Sequence, residues 1–218
     1  MNVSKNVSVF FDGYAHDFSS IYKEDTKKRS SFDKLMDKWF RKGIEERFKL
    51  TIEETSKETV QSVLDIGCGP GHYVVKFLEQ DKKVTALDIA PSMLEITKQR
   101  VESLGKNKNV EFILEDYLNY KPNKKFDVAC AMGFFDYVEE PVQVIKKLLN
   151  DVEKEIYISF PDNIGLLAIQ RKIRYKLRSC PLFLYSLKYL KDSLKAAGCF
   201  ENSQILNIDR GYFVKIRK

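Results

Sequence analysis

Apolar residues recur along this chain with two different periods, and the change between them falls near Val60. Upstream, Phe32, Leu35, Met36, Trp39, Phe40, Ile44, Phe48 and Ile52 follow one another at three- and four-residue steps, the spacing that lines one face of a helix. Residues 1–58 therefore read as helical. Downstream, short β-rich runs alternate with helical stretches: VQSVLDIG, a helix over 71–80, VTALDI, a helix over 91–104, VEFILED, FDVACAMG, a helix over 141–150 and EIYISF. That alternation predicts βαβ units, and hence an α/β protein with a doubly wound, mostly parallel sheet covered by helices on both faces. After Phe160 come a basic helical segment, a helix closed by Gly198, and two strands near 202–208 and 211–217, which bring the sheet to seven strands. The expected organisation is one compact unit, with a helical segment over 1–58, a core over 59–218 and a helical insertion at 163–185.

Composition narrows the class. Hydrophobic residues make up 44% and charged residues 31% of 218, the balance of a soluble globular protein. No apolar run approaches the ~20 residues of a membrane-spanning helix. MNVSKNVSVFFDGYAHDF lacks the basic region and apolar stretch of a signal peptide, so a cytoplasmic location is expected. Cys68, Cys130, Cys180 and Cys199 are scattered without ligand-pair spacing, and read as reduced, mostly buried thiols with no metal. The net charge of +6 is uneven: residues 161–218 hold 12 Lys/Arg against 4 Asp/Glu. That excess could steer an acidic ligand or a membrane surface towards one face.

The candidate chemistry begins at VLDIGCGPGHY, where Gly67, Gly69 and Gly71 follow an apolar strand directly. Bare backbone at the carboxyl end of such a strand lets a ligand press against the chain, at the edge where open α/β sheets bind ligands. The G-x-G-x-G spacing does not match the pyrophosphate loop of dinucleotide folds. Asp65, two residues before the first glycine, would repel a phosphate and suits an ammonium or sulfonium charge.

This acid-x-G-x-G-x-G pattern, with the motifs that follow it, resembles the class I S-adenosylmethionine-dependent methyltransferases. The resemblance runs from about Val60 to the C-terminus and implies a Rossmann-like fold, S-adenosylmethionine as cofactor, S-adenosylhomocysteine as product, and methyl transfer. It implies that Asp65 orders the loop and meets the cofactor's amino group, directly or through water, and that Gly67, Cys68, Gly69 and Gly71 lie against it. In ALDIAPSML, Asp88 would take both ribose hydroxyls, with Ile89 and Met93 flanking the adenine. In EDYLNY, Asp116 would accept from the adenine amino group, with Tyr117 beside it. In FDVACAMGFFDYV, Met132 and Gly133 would line the methionine side. Where many relatives carry Glu-His after the fourth strand, this chain has Asp136-Tyr137, which removes the usual candidate base.

FFDGYAHDFSSIY resembles the N-terminal lid of methyltransferases of quinones, sugars and porphyrin precursors. It implies that residues 1–58 form a lid, with Tyr14 and His16 as candidate catalytic residues and Tyr22 on the acceptor. His72, after the glycine loop, reads as a packing or capping residue. The acceptor is expected where the lid, the strand-four loop and the segment after strand five converge, which adds Phe135, Tyr137, Arg171 and Arg174. In that last segment Ile169, Ile173 and Leu177 recur at four-residue steps among Arg171, Lys172, Arg174, Lys176 and Arg178. A basic amphipathic helix of this kind can lie on an anionic membrane, take an acidic substrate or present a solvated surface. An insertion at this point also resembles the magnesium protoporphyrin methyltransferases. The expected partner is a small acceptor, apolar, acidic or linked to lipid or sugar, without DNA, in a monomer or homodimer. The alternative is an RNA or protein methyltransferase using the basic C-terminal face.

Overall fold

The computed structural model describes residues 3–21, 44–178 and 180–218. Tyr22 and the apolar positions between 32 and 40 lie outside the described residues, as do the side chains of Tyr14 and His16. The helices are α1 (Val3–Ile21), α2 (44–55), α3 (His72–Glu79), α4 (Pro91–Leu104), α5 (Pro141–Asp151), α6 (Gly165–Leu177) and α7 (Leu187–Ala196). The strands are β1 (Ser62–Ile66), β2 (Lys83–Asp88), β3 (Val110–Leu114), β4 (Phe126–Ala131), β5 (Val152–Pro161), β6 (Ser203–Ile208) and β7 (Gly211–Arg217).

The strands form one seven-stranded sheet in the order β3-β2-β1-β4-β5-β7-β6. The pairs among β1 to β5 are parallel, and β7 runs antiparallel to both β5 and β6. Winding starts at β1 and leaves in opposite directions towards β2 and β4, which puts the switch point, and so the ligand crevice, at the carboxyl end of β1.

Strand alternation divides the core. Val63, Val128, Tyr157 and Phe213 point to one face, where they meet Val74, Phe77 and Leu78 of α3 and Val101 of α4. Their neighbours Leu64, Ala129, Ile156 and Val214 point to the other, against α5 and α7 through Val144, Leu148, Leu190 and Leu194. Both faces of the central strands are thus apolar, as parallel sheets require.

Local signals account for the helix bounds. Pro91 opens α4, where its missing N–H costs nothing, and Gly105 closes it at φ 70°. The exposed start of α4 is capped from another helix: Asp12 of α1 accepts from Ser92 N at 3.1 Å and from Ser92 Oγ at 2.6 Å. Buried Lys215 of β7 ties α2 to the sheet, with Nζ 2.6 Å from Glu54 and 3.1 Å from Glu155. Burial alone would raise the Glu155 pKa, yet hydrogen bonds from Tyr157 and Lys215 hold it below the usual value. Among the described residues, no helix is long and apolar enough to cross a membrane.

Candidate functional site

The loop after β1 is bent by three glycines in the left-handed region, with φ of 65° at Gly67, 53° at Gly69 and 80° at Gly71. An L side chain there costs about 1–2 kcal/mol per position. Gly71 is fixed by space as well, because a Cβ would lie 2.6 Å from Thr97 Cγ2. A Cβ on Gly69 would meet nothing within 4 Å, so this stretch of backbone faces open space. The loop is anchored from both sides: Gly69 N donates to Asp88 Oδ2 at 2.8 Å, and Thr97 Oγ1 donates to Gly69 O at 2.7 Å. Asp88 Oδ1 meanwhile accepts from Ala90 N at 2.9 Å. Asp88 is thus tied to the backbone through both of its oxygens.

Asp65 sits beneath this loop, 1% exposed, and its Oδ2 has no hydrogen-bond partner among the described residues. Burial first, and the charge of Asp88 second, push its pKa up to about 8. A buried carboxyl without a donor is held near neutrality until a cation arrives. Burial likewise raises Asp88, against the backbone hydrogen bonds from Ala90, Gly69 and Ile89 that lower it.

Above the loop a cavity of about 680 Å³ runs from the end of β2 to the end of β5. Gly67, Cys68, Gly69, Asp88, Ile89 and Met93 line its first part, followed by Asp116, Tyr117, Met132 and Gly133. Asp65 and Gly71 support the loop from behind and are not part of the wall. Asp116 Oδ1 accepts from Leu118 N at 3.0 Å, and its Oδ2 accepts from Ser4 Oγ of α1 at 2.5 Å. The Tyr117 hydroxyl turns away to Asp151 at 3.0 Å, leaving only its ring at the cavity. His72 also reaches the wall, with Arg100 Nη1 3.0 Å from its ring nitrogens. Burial and then the Arg100 charge lower its pKa to about 4, so the imidazole is neutral at neutral pH. Burial raises the thiols of Cys68 and Cys130 well above their usual value, in keeping with packing roles.

The other end of the cavity gathers arginines among the carboxylates of Asp136, Glu139, Glu140 and Asp209. Arg47 of α2, Arg171, Arg174 and Arg178 of the α6 region, and Arg210 between β6 and β7 all line it. Arg171 Nη2 donates to Asp136 Oδ2 at 2.6 Å, with both side chains mostly buried. The Tyr137 and Tyr175 hydroxyls lie 3.2 Å apart, and burial raises the pKa of both. From α1, Phe11 packs edge-on to Tyr137 at 5.2 Å and Phe10 lies 6.1 Å from Tyr175, so α1 borders the cavity mouth.

One expected acceptor residue is corrected by the packing. Phe135 is fully buried, 4.3 Å from the Phe160 ring, and does not line the cavity. The short helical turn at Phe135–Tyr137 sends Phe135 into the core, and Phe134 takes the wall. Several wall or anchor residues carry no motif. Thr97 sits one helical turn after Met93 on the inner face of α4, a faint signal. Arg47, and Ser159, whose Oγ accepts from Gly133 N at 2.8 Å, come together only through tertiary packing. Among the described residues no group of His, Cys, Asp and Glu is arranged to hold a metal ion.

Residues 63–154 match the model of a methyltransferase domain family. A malonyl-(acyl-carrier protein) O-methyltransferase of Ilyobacter polytropus is 26% identical over 181 residues, covering 80% of this chain and 63% of that protein. A probable cobalt-precorrin-6B C(15)-methyltransferase of Methanobrevibacter smithii is 34% identical over 89 residues, covering 40% of this chain and 48% of its own. The chain thus spans less than two thirds of either relative. Magnesium protoporphyrin IX methyltransferase from Synechocystis, solved with bound S-adenosylmethionine, superposes with a TM-score of 0.73 at 15% identity, over 100% of this chain and 98% of that one. The domain match over residues 63–154, the acidic glycine loop at the switch point and the seven-stranded order agree, and together they support a class I S-adenosylmethionine-dependent methyltransferase.

Proposed function

We propose that the cavity binds S-adenosylmethionine between the glycine loop and Asp116, and that the chain transfers its methyl group to a small acceptor bearing negative charge. The observation that carries this reading is the cavity lining, where Asp88 and Asp116 stand beside the glycine loop and five arginines, Arg47, Arg171, Arg174, Arg178 and Arg210, gather among Asp136, Glu139, Glu140 and Asp209. The residues present fit the cofactor. The partnerless Asp65 Oδ2 is a buried acceptor for positive charge, and the open backbone at Gly69 leaves space against the loop. When bound, S-adenosylmethionine supplies a methyl group already activated on a sulfonium.

The protein's remaining tasks are to align, to exclude water and, for some acceptors, to take a proton. Asp88 would hold the ribose hydroxyls. Asp116 would hold the adenine amino group once Ser4 yields, and Ile89 and Met93 would flank the ring. Met132 and Gly133 would bound the reacting side. α1 serves as the lid, carrying Tyr14 and His16, with Phe10 and Phe11 at the mouth. Tyr137, Arg171 and Arg174 form the acceptor wall. Burial drives the Tyr137 and Tyr175 hydroxyls up, away from a base role at neutral pH. An acceptor already ionised at neutral pH, such as a carboxylate, needs no such base, and arginines suit it.

Calorimetry tests the cofactor half. S-adenosylmethionine and S-adenosylhomocysteine should bind and nicotinamide dinucleotides should not. Asp88→Ala should lower cofactor affinity by about 1.5–3 kcal/mol. An unchanged affinity in that variant would sink the assignment.

A further inference from the structure

The two faces of α6 are reversed relative to an ordinary surface helix. Arg171, Arg174 and Tyr175 face the cavity, while Ile169 and Ile173, each 56% exposed, and Leu177, 82% exposed, face solvent. Steps of four residues stack these three side chains along one line, over a helix of 13 residues or about 20 Å. Ile164, just before the helix, is 67% exposed as well. Lys172 and Lys176 are exposed and project along one flank of it. An aliphatic line left in water beside flexible lysines is unfavourable in a free protein and marks a contact surface.

We propose that α6 seats the protein on an anionic lipid surface, with Ile169, Ile173 and Leu177 in the acyl boundary and Lys172 and Lys176 on the headgroups. Charge decides between occupants. A second copy of α6 would bring lysines against lysines. Segment 22–43 of the chain itself holds 8 Lys/Arg against 4 Asp/Glu and has the same sign. The charges beside the aliphatic line, Lys172 and Lys176, are exposed and positive, so an anionic surface is the complementary one. Lysine stems can lie along the aliphatic line while their ammonium groups stay at headgroup level, the arrangement of interfacial helices. Because the inner face of the same helix lines the cavity, this seating places the arginine-lined end one helix diameter, about 10 Å, from the lipid. The proposal does not depend on methyl transfer.

The test is flotation of the whole chain with vesicles of phosphatidylcholine alone and of phosphatidylcholine and phosphatidylglycerol in equal parts. The parent protein should float with the anionic vesicles only, and less so at high salt. Lys172→Glu with Lys176→Glu should lower partitioning by about tenfold or more. Ile173→Asp with Leu177→Asp should abolish flotation even at low salt, with cofactor affinity and melting temperature equal to those of the parent. A parent protein that stays in solution with anionic vesicles, as it would if the surface served an acidic protein, overturns the proposal. Equal binding to neutral vesicles, an aspartate variant that floats like the parent, or a parent dimer that this variant makes monomeric does so too. The lysine pair keeps the test decisive should the aspartate variant fold poorly.

Discussion

Replacing Asp65 with Asn isolates the electrostatics of the cofactor end. With its pKa pushed up to about 8, Asp65 is protonated in about nine of ten unliganded molecules at pH 7. A cationic ligand over the loop favours the ionised carboxylate and draws that pKa down. Binding at pH 7 should therefore release about 0.9 proton from this group, and affinity should climb towards pH 8 by up to about tenfold per unit before levelling. Calorimetry in buffers of different ionisation enthalpy reads the proton count as a slope. The ligand's own amine also titrates in this region, so the quantity to compare is the difference between parent and Asp65→Asn, in which the amine cancels. Stability carries the same signature. The folded pKa lies above the unfolded value of 3.8, so the folded state holds the extra proton. The unliganded protein should accordingly lose stability as pH rises from about 4 towards 8, by about 1.4 kcal/mol per unit from this group. Asp65→Asn should flatten that slope. Equal proton release by parent and variant, together with parallel stability profiles, would refute the assignment of a neutral, ligand-titrated Asp65.

Two further perturbations probe the loop and the acceptor wall. Gly71→Ala should destabilise the fold by about 2–3 kcal/mol, from the positive φ and the Thr97 contact together; an unchanged urea midpoint would contradict it. Arg171→Gln leaves Asp136 mostly buried without its partner, and should raise the acceptor KM while lowering stability by about 1–3 kcal/mol. Turnover and melting curves that match the parent would show the ion pair to be incidental.

The sequence makes the strand–helix series legible because its punctuation is local. Pro91 and Gly105 bound α4, Gly198 closes α7 at φ 79°, and the glycines of the loop declare a bend that other residues resist. Most of the residues expected at the cofactor share one cavity for the same reason, since they follow strand ends in order along the chain. The acceptor end is not. Periodicity in α6 separates an aliphatic face from a basic one, yet it carries no information on which faces inward, and here the arginines do. Phe134 and Phe135 are equivalent as letters, and a single helical turn decides which is core. Arg47 reaches the wall through the packing of α2 on the core, to which the Lys215–Glu54 pair contributes, a contact between residues 161 positions apart.

The two ends of the cavity also differ in how they are encoded. The acidic end is written in one continuous stretch, from the glycine loop to Gly133, and its pieces brace one another through Asp88 and Thr97. The arginine end is assembled from α2, α6 and the β6–β7 turn, separate excursions that meet only in the folded chain. Lineages can therefore exchange or lengthen any one excursion without disturbing the cofactor half. Divergence in acceptor choice should accumulate in those pieces, while the continuous stretch drifts slowly. An engineer wanting a new acceptor has three short cassettes to vary and one block to leave alone.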